Sequence, residues 1–140
     1  MEYPEEIVAP MRKEITDLGA IELKTPDQVD KALKNNKETT LVMINSICGC
    51  AGKSARPALK QALKTPSKKP EKFFTLFAGQ DREATQHLRE IYLKDFQPSS
   101  PSIAIFSKGN PVAMIGRNDI IGREVEEVAE KIKDSFNEYF

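Results

Sequence analysis

Thr40-Leu41-Val42-Met43-Ile44-Asn45-Ser46-Ile47-Cys48-Gly49-Cys50-Ala51-Gly52 decides how this chain is read. Its first part, Thr40 to Ile44, is a continuous apolar run of the kind that suits a central strand covered on both faces. Beyond the cysteines, Ala51, Ala55, Ala58, Leu59, Ala62 and Leu63 recur at helical spacing. Cys48 and Cys50, the only 2 cysteines in the chain, therefore fall where a strand ends and a helix begins. The thiolate is the reactive form of cysteine, and the unpaired N–H groups and dipole of a helix start lower a thiol's pKa. A bridge between such close neighbours adds little stability, because that contribution grows with the loop it closes. Their α-carbons lie within the roughly 4.4–6.8 Å that a disulfide tolerates, and a small strained ring is readily reduced. Gly49 leaves room around the pair. Redox chemistry outweighs a reading as two buried small hydrophobes.

Working outward, the spacing of Ile7, Met11, Ile15 and Leu18 predicts an amphipathic helix from about Pro4 to Leu18, ended by Gly19. Ala20 to Lys24 is a short strand candidate. Thr25-Pro26-Asp27-Gln28 starts a second helix, with Thr25 as N-cap, Pro26 at the first helical position and Gln28 closing a capping box. Pro57 lies inside the helix that follows the cysteines and should bend it. Thr65 to Pro70 reads as a polar loop. Phe73 to Ala78 is a second buried strand, and Asp81 to Lys94 a helix with Ala84, Leu88, Ile91 and Tyr92 inward. Ser102 to Phe106 and Pro111 to Ile115 form a hairpin around Ser107-Lys108-Gly109-Asn110. A last helix from about Asn118 carries Val125, Val128, Ala129, Ile132 and Phe136 on one face. The order is a helix, then βαβαβαββα. It gives one α/β domain over residues 1–140, with a central mixed sheet flanked by helices. In such sheets chemistry gathers at the carboxyl ends of parallel strands, where Cys48 lies.

Composition narrows the function. Lysine and arginine number 21, balancing 21 aspartates and glutamates, so nothing favours capture of nucleic acid or an anionic membrane. No apolar stretch approaches the roughly 20 residues of a membrane span. The first residues lack the basic and apolar regions of a signal peptide, which places the chain in a reducing cytoplasm. Gly49-Cys50-Ala51-Gly52-Lys53-Ser54 imitates a phosphate-binding loop, but that motif needs a glycine where Ile47 stands. The single histidine, His87, sits on another helix at the edge of its apolar stripe, so two thiols and one imidazole fall short of a structural zinc site. No metal and no cofactor are expected. Lys53 and Arg56 lie in the first turns after the cysteines and read as solvated charges rather than as aids to a thiolate. Pro101 opens a strand opposite the cysteine turn. It cannot donate to a ladder, and beside two cysteines a cis Ser100–Pro101 bond is favoured over an ordinary trans turn.

With these residues in hand, the chain resembles the thioredoxin-fold proteins, and among them the bacilliredoxins. The resemblance runs through Tyr3 to Arg12, Asn45 to Gly52, Ala55-Arg56-Pro57-Ala58, Ser99-Ser100-Pro101-Ser102-Ile103-Ala104 and Gly116-Arg117-Asn118-Asp119-Ile120. It implies a thioredoxin-like domain with an extra N-terminal helix that removes bacillithiol, a low-molecular-weight thiol, from mixed disulfides on client proteins. Cys48 is then the attacking thiol and Cys50 the resolving one. Pro101 is the cis-proline facing them, and Gly49, Ser100 and Pro101 border the substrate. Bacillithiol is a substrate rather than a cofactor, the partners are bacillithiolated proteins, and the expected assembly is a monomer or weak dimer. The chain departs from ordinary thioredoxins in its one-residue spacer, its lack of tryptophan, and Val42 where a buried acid is usual. Two alternatives stay open on these residues. One is a protein disulfide isomerase or general disulfide reductase. The other is a redox-sensing or thiol-binding module without turnover.

Overall fold

The computed structural model describes residues 2–64 and 68–140; Thr65, Pro66 and Ser67 of the expected polar loop lie outside the described residues. Five strands form one sheet in the order β1-β3-β2-β4-β5. They are β1 (Ile21–Glu22), β2 (Thr40–Asn45), β3 (Lys72–Phe77), β4 (Ser102–Ser107) and β5 (Asn110–Ile115). β1, β3 and β2 run parallel, while β4 and β5 are antiparallel to their neighbours. The sheet is mixed, as expected. β2 sits at its middle with all six residues buried, which is what an unbroken apolar run needs.

The pleat of β2 divides the core. Leu41 and Met43 point to one face, where they meet Ile15, Leu59, Ile132 and Phe136. Val42 and Ile44 point to the other, against Val29, Leu76 and Leu88. The first face is covered by α1 (Glu5–Thr16), α3 (Arg56–Lys64) and α6 (Val125–Tyr139), the second by α2 (Pro26–Leu33) and α4 (Arg82–His87). Fully burying one such aliphatic side chain contributes about 1.5–3 kcal/mol, so β2 is the spine of both layers. α2 begins as its sequence predicts, with Thr25 Oγ1 accepting the Gln28 N–H at 3.1 Å. Gln28 reaches back one residue further than a capping box requires and accepts the Lys24 N–H at 2.7 Å.

Four expectations need correcting. In α1 the inward stripe is Val8, Arg12 and Ile15, and Ile7 is 48% exposed. The helix is turned by an arginine in its buried face, which an apolar pattern cannot register. Downstream of α4, Leu88–Tyr92 winds as a π-helix, with the Leu93 N–H bonded to the Leu88 carbonyl at 3.0 Å. The extra residue in that turn puts Leu88 and Leu93 on the core side and Ile91 outside, 53% exposed. The irregularity foreseen at Pro57 is taken up just before it, by a π turn over Ala51–Ala55 closed by the Arg56 N–H on the Ala51 carbonyl. The last helix is two helices, α5 (Arg117–Ile120) and α6, parted by a turn through Gly122.

Candidate active site

β2 ends at Asn45, and the bonds made there shape the turn that follows. The Asn45 amide donates to the Met11 carbonyl at 3.0 Å, and its oxygen accepts the Ser46 N–H at 2.8 Å and Arg56 Nη1 at 3.0 Å. Ser46 Oγ then accepts the Cys48 N–H at 2.9 Å, a local side-chain turn that stops the strand. Helical winding starts at Gly49, and the Cys48 carbonyl accepts the Ala51 N–H at 2.9 Å. Cys48 thus stands immediately before the helix, with the free N–H groups of its first turn around it.

The two sulfurs are 2.7 Å apart, and both cysteines are half-buried thiols. Their surroundings pull them in opposite directions. Cys48 is held below the ordinary cysteine value, first by the hydrogen bond from the Cys50 thiol, then by the Cys50 N–H, with smaller help from Arg117 and the Ala51 N–H. Cys50 is pushed up, first by burial and then by the bond to Cys48 and its charge. As pH rises, Cys48 is the first of the two to lose its proton. Such a pair titrates as a unit in two steps.

The strand beside β2 brings up the second half of the site. β4 pairs antiparallel with β2, Ile44 against Ser102; one more step of that register sets Pro101 level with Asn45 and Ser100 level with Ser46. The Ser100–Pro101 bond is cis, and Pro101 is buried while Ser100 is half-buried. Ser99 locks this loop in place. Its carbonyl accepts Arg89 Nη2 at 3.0 Å and Ser102 Oγ at 2.9 Å, and its hydroxyl accepts the Arg117 N–H at 3.2 Å. A Cβ at Gly116 would lie 3.1 Å from Ser99 Oγ, so glycine there permits the close approach of the two loops.

The fold therefore brings Cys48, Gly49 and Cys50 to one turn and carries Ser100 and Pro101 to the adjoining strand end. A Cβ at Gly49 would meet nothing within 4 Å; its bare surface faces open space rather than relieving a clash. Lys53 is exposed, but Arg56 is not the solvated charge its position suggested. It is 5% exposed and bonded to Asn45 Oδ1, to the Ser46 carbonyl at 2.9 Å and to Glu14 at 3.0 Å. The cation acting on the sulfurs is Arg117, 69 residues downstream of Cys48. Its only sequence signal was its place in the Gly116-Arg117-Asn118 segment. His87 is a boundary residue, with Nε2 at 2.8 Å from Asp30 Oδ1, which also accepts the Tyr92 hydroxyl at 2.7 Å. Among the described residues no group of three or more His, Cys, Asp or Glu is arranged to hold a metal ion, and no helix is long and apolar enough to cross a membrane.

Comparison with known proteins agrees with this geometry. A family model described as Disulphide isomerase matches residues 3–140. A bacilliredoxin of Salinibacter ruber is 46% identical over 140 residues, covering 99% of this chain and 82% of that one. A bacilliredoxin of Halalkalibacterium halodurans is 45% identical over 137 residues, covering 98% and 92%. Among solved structures, the thioredoxin of Malassezia sympodialis superposes with a TM-score of 0.56 at 14% identity, over 86% of this chain and 90% of that one. Mitochondrial thioredoxin 3 of Saccharomyces cerevisiae gives 0.52 at 16% identity, over 86% and 98%. The fold is thioredoxin-like, with an N-terminal helix added to the central mixed sheet.

Proposed function

The chain belongs to the bacilliredoxin family of thiol–disulfide oxidoreductases, and from that premise we propose that Cys48 takes bacillithiol from mixed disulfides on client proteins. The Cys48 thiolate attacks the bacillithiol sulfur. A new Cys48–bacillithiol disulfide forms, the old bond breaks, and its electron pair leaves on the client thiolate, which takes up a proton. In the second step either a free thiolate attacks the bacillithiol sulfur, forms a disulfide with it and frees the Cys48 thiolate, or Cys50, once deprotonated, attacks the Cys48 sulfur and releases bacillithiol as its thiolate. With Cys50 the product is a Cys48–Cys50 disulfide, which an external dithiol or two thiols must reduce. Residues 1–140 act as one thioredoxin-like unit in a reducing compartment, with Gly49, Ser100 and Pro101 bordering the bound disulfide. No cofactor takes part.

One observation carries this reading. Two sulfurs in contact at 2.7 Å have opposite shifts, so Cys48 is the one that ionises more readily, as a nucleophile must, and Cys50 the one that holds its proton in reserve. Burial holds the proton on Cys50, while Val42 is apolar and packs on the sheet face away from the helix that carries the cysteines. Resolution by Cys50 is therefore the slower step, and an external thiol competes well with it. The test is mass spectrometry of the protein after reaction with a bacillithiolated client. Cys50→Ala should accumulate the Cys48 adduct, and Cys48→Ala should leave the client untouched. If Cys50→Ala abolished attack itself, the roles would be reversed.

A second reading, disulfide isomerisation, draws support from the description of the matching family model. It requires the attacking thiol to be displaced repeatedly by client thiols. Reactivation of scrambled ribonuclease measures it. Recovery as fast as client release would make isomerisation the principal activity.

A further inference from the structure

Beside the cysteine turn, between the segment Phe96–Ser100 and the turn Gly116–Asp119, lies an open cleft of about 530 Å³, within the range of small-molecule sites. Met114 and Phe96 line it with hydrocarbon, and Ser99, Ser100, Arg117 and Asn118 supply polar groups. Its charges are unevenly matched. The Asp119 carboxylate is already engaged, accepting the Gly116 N–H at 3.0 Å and pairing with Lys131 at 2.8 Å. The Arg117 guanidinium has no hydrogen-bond or ion-pair partner among the described residues, although its backbone is fixed by Ser99 Oγ. Arg89 reaches the same loop from behind through the Ser99 carbonyl, and its buried Nε has no partner. Neither arginine pairs with a carboxylate among the described residues. The cleft is therefore electropositive, next to a nucleophilic sulfur.

We infer that this cleft binds the acidic part of a low-molecular-weight thiol joined to Cys48, with the Arg117 side chain pairing its carboxylate. The inference rests on Cys48 being the sulfur that receives the thiol. Arg117 also acts on both cysteine sulfurs, which places its charge within electrostatic reach of the reacting bond. A cationic fork on a fixed backbone selects a carboxylate by geometry as well as charge. The serines and Asn118 suit the remaining hydroxyl or amide groups of a compact polar ligand.

The experiment compares three adducts of one single-cysteine client protein, made with 3-mercaptopropionate, 2-mercaptoethanol and cysteamine. They differ in charge and little in size. The intact protein should release the client from the carboxylate adduct with a kcat/KM about fivefold above the neutral one, as expected of a partly exposed ion pair, with the cationic adduct slowest. Arg117→Gln should bring the carboxylate-to-neutral ratio to near one, and Arg117→Lys should retain part of it. If Arg117 served only to ionise Cys48, its removal would slow all three adducts alike and leave the ratio unchanged; that result, or a ratio near one in the unaltered protein, overturns the inference. Cleavage of every adduct by Cys48→Ala would instead refute the role of Cys48.

Discussion

The cysteine turn and the polar cluster beneath it are neighbours built on opposite principles. The turn, Ser46 to Gly52, is held by local bonds, chiefly Ser46 Oγ to the Cys48 N–H and the Cys48 carbonyl to the Ala51 N–H. The cluster joins distant parts of the chain. Arg12, 8% exposed, makes a two-pronged pair with Asp81 at 2.8 Å for both nitrogens and bonds Glu5 at 2.8 Å. Asp81 also accepts the Phe77 N–H at 3.0 Å, which ties α1 to the end of β3. Arg56 and Asn45 tie α1 to the end of β2 through Glu14 and the Met11 carbonyl. Chemistry and rigidity are thus separated. The turn can change partners at sulfur while the scaffold keeps its geometry, and changes in the two regions should register in different measurements.

The largest effect belongs to the turn. Cys48→Ala removes the nucleophile, and covalent catalysis has no substitute for it, so client release should fall by at least about a thousandfold. Stability should move by no more than about 0.5 kcal/mol, because the side chain is half-buried and outside the packed layers. Thiol release from a mixed-disulfide client and urea unfolding measure the two quantities. A loss of several kcal/mol would mean that the turn is structural after all.

The scaffold should behave the other way round. Asp81→Asn keeps the shape of the side chain but leaves the buried Arg12 guanidinium short of its main counter-ion, whose hydrogen bonds raise the Arg12 pKa above its ordinary value. Removing one partner of a buried pair costs about 3 kcal/mol. Urea unfolding should show that loss, while client release per folded molecule stays within about twofold. A large fall in rate with little loss of stability would join the two regions and remove the distinction.

Smaller, and confined to the turn, is the response to pH. The attack rate should follow the ionised fraction of Cys48 and reach half-maximum below the roughly pH 8.5 of a free cysteine. The linked stability terms have opposite signs. Cys48, with its folded pKa lowered, contributes stability that is present above the unfolded pKa and lost as pH falls through the folded one. Cys50, with its folded pKa raised, contributes stability that is present below the unfolded pKa and lost as pH rises through the folded one. Under reducing conditions the two windows meet at the unfolded value rather than overlap, so the unfolding midpoint should rise with pH where the rate climbs, peak near that value and fall again towards the folded Cys50 value. A rate midpoint at or above 8.5 would mean that the turn does not acidify its first cysteine.

The same division explains which features could be read in advance. β2, the hairpin, the start of α2 and the cysteine turn were legible because their causes are local: apolar runs, turn residues, a cap. The cis bond at Ser100–Pro101 was legible only through the cysteines it faces. The scaffold was not legible. Arg12 and Asp81 are 69 residues apart, and each looks like an ordinary surface charge until the fold joins them. Arg56 reads as a surface charge for the same reason, although its partners bury it. Arg117 escaped because its effect on Cys48 depends on the loop contact through Ser99. The sequence points Ile91 inward because no composition rule marks the extra residue of a π turn.

The smallest effect probes the far side of the sheet, where neither region reaches. Thr25 caps α2, whose buried residues Val29 and Leu33 pack on the face opposite α3 and the helix carrying the cysteines. Thr25→Ala deletes the acceptor for the Gln28 N–H, and loss of an N-cap costs about 1 kcal/mol. Gln28 keeps its bond to the Lys24 N–H, so the chain entering the helix stays anchored and the loss should not exceed that figure. Its effect should appear in urea unfolding alone. The route from α2 to Cys48 passes through β2, whose Val42 and Ile44 are fixed by packing on both neighbouring strands. A packed strand transmits a frayed helix end poorly, so the rate and its pH midpoint should be unchanged. If client release slowed in proportion to the stability lost, the cysteine turn would be drawing its geometry from the whole sheet rather than from the bonds around Ser46 and Asn45.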